Sequence, residues 1–427
     1  MGPGAGTTLT LGAVKDALLS GDGASHARTA AYFICFLLSL AVSFYTFPWR
    51  QLARKAPPLV LVVPGFSLVA LVLTWRLIII FFVGFTQLHR DHRDPPNLFI
   101  EAYALVCNTP AGWWWSSMLL CWVTVACPMA HAEAKRRGLS PGVVLAYICT
   151  AFLGAVSLAF PLLLTRLVLG GTPSVKTTGG ASASALTGWQ RWLWLVCALC
   201  SLASIAALPI CVHTSRPGFI AALAVVHVVL ALPYAHDAVR SAFATSPASP
   251  SSRDSAPSQD GLPAAMRALA ASTAVLHACA TAAAVPVLRA ASPHPPWTLA
   301  ALGEFARALV AAAGHNVCQA SISIDAALSA ICGLLFLLAI SHRQDRTHAI
   351  VCCVLSPAIG PAAALALGYA RHSERLRGSS AAPDAPTRPQ SLDKHPSSVR
   401  RSPTRARSPG AVQRSGRRRV ASSPVHR

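Results

Sequence analysis

Nine stretches of about twenty apolar residues recur along this chain, at roughly 30–47, 59–85, 113–132, 143–165, 193–212, 218–236, 265–288, 319–340 and 348–370. A helix of that length crosses the hydrocarbon of a bilayer. In lipid only a helix or a closed barrel satisfies its own backbone hydrogen bonds. The expectation is an all-α, polytopic transmembrane helix bundle of nine spans, with eight the nearest alternative. Composition agrees, since 53% of residues are hydrophobic and only 12% are charged, about half the usual charged share of a soluble domain.

The formal charge of +21 suggests nucleic acid until it is located. From Arg371 to the C-terminus there are fourteen Lys/Arg against three Asp/Glu, which puts +11 in that segment alone. It is rich in Arg, Ser and Pro and has too few apolar residues to fold by itself. The reading is a solvated tail that hugs anionic lipid, with no nucleic-acid partner. Its Arg-Ser-Pro steps at 401–403 and 407–409 suit proline-directed phosphorylation.

Five segments follow. Residues 1–28 form a short polar N-terminus, too polar for a signal peptide. Residues 29–243 carry six spans, and 244–264 form a Ser/Pro-rich loop. Residues 265–370 carry three further spans, and 371–427 form the disordered basic tail. Basic residues mark cytosolic loops: Arg50, Arg54 and Lys55 follow the first span, and Lys135, Arg136 and Arg137 follow the third. Nine spans with an outside N-terminus put both loops and the tail in the cytosol, most simply in the endoplasmic reticulum membrane. The Ala-rich seventh span is weakly hydrophobic and needs protein neighbours more than lipid.

The thirteen cysteines lie mostly in apolar runs. No CxxC is joined by a second pair or by spaced histidines, so no metal site is expected. The run from His89 to Asp94 alternates charge of both signs and reads as a solvated loop. There is no GxGxxG, P-loop, HExxH or GxSxG. A DDxxD-type aspartate cluster for magnesium is also missing.

Two stretches carry the candidate chemistry. In residues 97–123 a short apolar helix bearing Glu101 meets a Pro-Ala-Gly break, and Trp113, Trp114 and Trp115 then open a long helix. Indoles favour the lipid–water boundary, and their faces also stabilise cations. Asn108 lies seven residues after Glu101 on the same helical face. Glu133, beside Arg136 and Arg137, reads instead as a helix-end charge. In residues 317–333, Ser321 and Ser329 flank Asp325 at four residues and Cys318 and Cys332 at seven. That polar stripe must face the bundle interior. A carboxyl kept dry there holds its proton and is able to donate it, or else it bonds to a neighbouring helix.

The segment FIEAYALVCNTPAGWWWSSMLLCWV, the AKRRG turn, SISIDAALSA and CCVLSPAIGPAAALALGYA resemble fungal polytopic membrane proteins encoded in secondary-metabolite gene clusters. Among such proteins are integral-membrane terpene cyclases of the ascochlorin type. The resemblance covers about residues 30–370. It implies cyclisation of a prenylated, often epoxidised precursor by protonation, with no cofactor and no metal. Asp325 or Glu101 would supply the proton. Trp113, Trp114, Trp115, Asn108, Ser321 and Ser329 would bind the lipophilic small-molecule substrate within the lipid bilayer. Two rival expectations are an exporter of a small lipophilic metabolite and a non-catalytic accessory protein that recruits other pathway enzymes. With nine spans, Glu101 and Asp325 fall near opposite faces and do not share a small site.

Overall fold

The computed structural model describes residue 12 and residues 23–55, 58–89, 96–170, 186–243, 261–289 and 298–381. Outside the described residues lie the charged run after His89, most of the Gly/Ser/Thr-rich loop at 170–188, the Ser/Pro-rich loop up to residue 260 and the tail beyond residue 381. Among the described residues there are fourteen helices and no strand. They are α1 (Gly23–Thr46), α2 (Trp49–Lys55), α3 (Pro58–Leu88), α4 (Leu98–Cys107), α5 (Pro110–Arg136), α6 (Pro141–Leu153) and α7 (Val156–Leu169), then α8 (Gly188–Thr214), α9 (Arg216–Phe243), α10 (Gly261–Arg289), α11 (Leu299–Ala313), α12 (Val317–Ile340), α13 (Arg346–Ile359) and α14 (Pro361–Ala381).

Five of these helices, α3, α8, α9, α10 and α12, are long and apolar enough to cross a membrane, consistent with a membrane protein. Their outward faces carry Leu68, Val72, Leu199, Ile210, Val228 and Val275, all exposed. Water would penalise so much uncovered apolar surface, whereas lipid does not. Nine spans are therefore not what helix length and apolarity deliver among the described residues.

Two of the expected spans are broken, for identifiable reasons. Residues 143–165 divide into α6 and α7 at Gly154 and Ala155. A Cβ on Gly154 would overlap the Phe36 ring and sit 2.7 Å from the Thr150 carbonyl, so only glycine fits where α1 packs against the break. Residues 348–370 divide into α13 and α14 at Gly360. Its φ of +89° is open only to glycine, and Pro361 behind it disfavours a helical residue before it.

The 113–132 stretch lies in α5, the centre of the bundle. Thr109 caps its start by accepting from the Gly112 N–H at 3.1 Å, with Pro110 in the first turn. Nearly every α5 residue from Ala111 to Ala134 is buried, under α10, α12, α14 and α8. The Ala-rich α10 packs against α14 and α5, so protein does cover it. Residues 371–381, read from sequence as the start of the tail, continue α14 as helix. Ion pairs hold that turn in place: Arg375 to Asp345 at 2.8 Å, Arg371 to Asp345 at 3.5 Å, and Arg267 to Glu374.

Candidate functional site

The break between α6 and α7 opens on a cavity of ≈ 200 Å³. Helices α1, α3, α4, α5, α9 and α12 complete its walls, which are mainly apolar, with Leu77, Phe81, Phe99, Leu119, Phe152 and Leu230 among them. Its polar groups are few: Tyr32, Thr74, Tyr103, His227, Ser321 and Asp325.

Asp325 is buried on α12 and reaches across to the start of α7. Its Oδ2 accepts from the Val156 N–H at 3.1 Å and its Oδ1 from the Ser157 N–H at 2.5 Å. The first N–H groups of a helix have no intrahelical acceptor. The residue in the capping position, Ala155, has no side chain to supply one. Asp325 therefore caps α7 from another helix, at the positive end of the helix dipole. A carboxylate offers about four lone-pair sites. Two are committed to α7, and the group still lines the cavity.

Tyr103 and His227 form the second polar element. The Tyr103 hydroxyl and His227 Nε2 are 3.0 Å apart, and His227 Nδ1 lies 2.8 Å from the Leu223 carbonyl. A carbonyl only accepts, so Nδ1 carries the hydrogen, and in the neutral ring the Tyr103 O–H donates to Nε2. Thr74 is buried in the same wall, and among the described residues its hydroxyl has no hydrogen-bond partner. Tyr32 donates to the Leu153 carbonyl at the break itself.

Of the stripe singled out on α12, Asp325, Ser321 and Cys318 line this cavity; the other candidate catalytic and binding residues are not among its lining. Glu101 points away from it, in a partly exposed ion pair with Arg216 at 2.6 Å. Tyr103, two residues on, turns inward instead. Asn108 is the exposed C-cap of α4. Ser329 is fully buried one turn beyond Asp325. The tryptophans are braces between helices. Trp113 is buried, Trp114 Nε1 donates to Thr281 Oγ1 on α10 at 3.0 Å, and Trp115 Nε1 donates to the Leu309 carbonyl on α11 at 3.0 Å. Sequence reasoning missed Tyr103, His227 and Thr74. The one available signal was a lone histidine in the apolar run AVVHVVLALPY.

Two further polar clusters lie apart from the cavity, each built around an acid with several partners. Asp237 takes His131 Nε2 at 2.9 Å, Lys135 Nζ at 2.7 Å and Gln190 Nε2 at 3.1 Å, while Trp194 Nε1 donates to His131 Nδ1 at 2.6 Å. Glu133, fully buried, accepts from Arg136, from Arg137 at 3.0 Å and from the Tyr369 hydroxyl at 3.1 Å, in keeping with its reading as a helix-end charge. At the foot of α12, burial pushes the Asp345 carboxyl up, but the Arg375 hydrogen bond and the charges of Arg375 and Arg371 outweigh it. They hold the group below the usual carboxylate range. Among the described residues no group of three or more His, Cys, Asp and Glu is placed to hold a metal ion.

Comparison with protein-family models, with curated proteins and with solved structures found no match.

Proposed function

We propose that this protein is a membrane-embedded enzyme of terpenoid or meroterpenoid biosynthesis that cyclises a prenylated, lipophilic precursor in the cavity beside the α6–α7 break. One observation carries the reading. An apolar chamber walled in part by membrane-length helices gathers a carboxylate, a Tyr–His pair and an unpartnered hydroxyl at its surface. Buried apolar clefts with a few convergent polar groups are where small molecules bind.

In this reading the Tyr103–His227 pair holds the proton and hands it to an epoxide oxygen or alkene of the guest, while the Asp325 carboxylate, held by α7, faces the positive charge that follows. For an epoxide, the C–O bond breaks as the O–H bond forms. An alkene of the same chain closes the ring onto the carbon left positive, and a later C–H proton returns to a basic group of the cavity. Atoms balance without a cofactor, and the product is an isomer of the substrate. The faces of Phe81, Phe99 and Phe152 stabilise positive charge that water would otherwise quench. Glu101, turned toward Arg216, takes no part. The site lies in an endoplasmic reticulum membrane, with the loops after α1 and α5 and the basic tail in the cytosol.

The test is turnover in microsomes expressing the protein alone and supplied with prenylated epoxide precursors. Cyclised product is expected, reduced at least tenfold by Asp325→Asn and by His227→Ala and kept by Glu101→Gln. Unchanged precursor with all variants alike sinks the cyclase.

A second reading, export of a small lipophilic product, is favoured by the two interrupted helices, an arrangement that transporters place around their sites. Arg76, on the exposed side of α3, is not within that cavity, so it does not pair with Asp325 as a coupling group. Altered efflux from intact cells, without cyclised product, supports export.

A further inference from the structure

The mainly apolar walls of the cavity include five aromatic rings, and among the described residues its only acid is Asp325. Tyr32, Phe81, Phe99, Tyr103 and Phe152 line it, and among the described residues no Lys or Arg does. Arg216, the cation nearest along the chain to the α8–α9 turn, is engaged with Glu101. Arg166, farther along α7, donates to the Thr46 carbonyl. His227 is committed through Nδ1 to a backbone carbonyl and through Nε2 to Tyr103. Nothing described in the chamber offers positive charge to a guest except the α7 N-terminus, and Asp325 already occupies its first two N–H groups.

We infer that the cavity selects its guest by charge and takes a lipophilic cation, a protonated amine on a prenyl-sized chain, in preference to a neutral or anionic molecule of the same shape. Three contributions act together. Aromatic faces attract an ammonium, most strongly where water is excluded. The α7 N–H groups take two of the carboxylate's lone pairs, and an N⁺–H competes with the neighbouring Ser157 and Ser329 hydroxyls for the rest, winning as a charge-assisted hydrogen bond. The Thr74 hydroxyl, buried with no partner among the described residues, accepts a second N–H or turns to a guest oxygen. An anionic guest meets the reverse of each: it faces Asp325 with no counter-charge, and its desolvation goes uncompensated. The same chemistry excludes prenyl diphosphates from this chamber. The inference rests on the cavity being the seat of the guest, and on nothing about which reaction follows.

The experiment uses the full chain in nanodiscs of neutral phosphatidylcholine at pH 7.5, with three probes on one geranyl chain: geranylamine, geraniol and geranic acid. Binding is read as Kd from ligand-dependent thermal shift, with empty nanodiscs as the partition control. The amine is expected to bind at least tenfold tighter than geraniol, and geranic acid at least tenfold weaker than geraniol. Asp325→Asn, which keeps an oxygen to accept from α7, should bring amine and alcohol within about twofold of each other. The double variant Phe81→Leu, Phe152→Leu leaves the cap untouched and should weaken the amine at least threefold more than the alcohol, so a poorly folded Asn variant does not decide the matter. Equal affinities for the three probes, tighter binding of geranic acid, or an amine preference that survives both variants overturns the inference. Amine preference without cyclised product in microsomes retires the cyclase and leaves this selectivity standing. Cyclised product without amine preference does the opposite.

Discussion

Two interrupted helices sit in this bundle, and they have opposite fates. At the α6–α7 break the exposed N–H groups of α7 are met by a carboxylate from α12, and open space of ≈ 200 Å³ remains beside them. At the α13–α14 break the His277 ring packs where a side chain on Gly360 would go, 2.9 Å from the place its Cβ would take, and only ≈ 10 Å³ is left. That is about the room of one water. A gap in a helix is thus not in itself a binding site. It becomes one where the freed backbone is satisfied by a neighbour that does not also fill the gap. The first break has an acid on a neighbouring helix and is open; the second has an imidazole and is shut.

The sharpest way to break that contrast is to remove the acid. Asp325→Ala leaves two buried N–H groups without acceptors and should cost about 3 kcal/mol, with Asp325→Asn roughly half of that. The check is the apparent Tm in a mild detergent, and equal loss from the two variants would deny the capping role. Next come the glycines. Gly154→Ala drives a Cβ into Phe36, and Gly360→Ala both strains a left-handed backbone and meets His277. Each should cost about 2 kcal/mol by the same measurement. Only the first should also abolish probe binding. His277→Ala is the complementary experiment, since it opens the closed break. It should lower stability by about 1 kcal/mol for the packing lost and add no second geranyl site to that of the first cavity, because among the described residues no carboxylate lines the new space.

The smallest effect is electrostatic and lies at the far end of α14. Asp345 is held below its ordinary range in the folded chain, so its contribution is complete above about pH 4 and is lost as pH falls through the lowered folded value. Between pH 6 and pH 3.5 the Tm should fall more for the natural chain than for Arg375→Gln, a difference under about 1 kcal/mol. No difference would mean that α14 is anchored by packing alone.

What could be read in advance follows physical scale. Helicity and lipid exposure depend on averages over twenty residues, and the runs around Leu68, Ile210 and Val228 announce them. Continuity of a helix depends on one residue. Gly154 in AFLGAVSLAF looks harmless until Phe36, more than a hundred residues earlier, is seen to occupy the space of its missing side chain. The SPAIGPA string did carry a warning, as glycine followed by proline commonly ends a helix. Asp325 and Ser321 were legible because a polar stripe on an apolar helix has to face inward. Tyr103 and His227 were not, because their pairing joins α4 to α9 over a separation that no local spacing encodes. The indoles of Trp114 and Trp115 have the chemistry of a lipid-surface anchor as much as of a brace, and only Thr281 and Leu309 decide between them.

One contribution of α1 bears on how the protein is handled. Tyr32 closes over the Leu153 carbonyl and Phe36 stacks on Trp75 while wedged against Gly154, so the first helix is the cork of the chamber. An expression version shortened past residue 36, in the hope of better yield, would be uncorked. It would flood with detergent and answer every ligand question with a false negative.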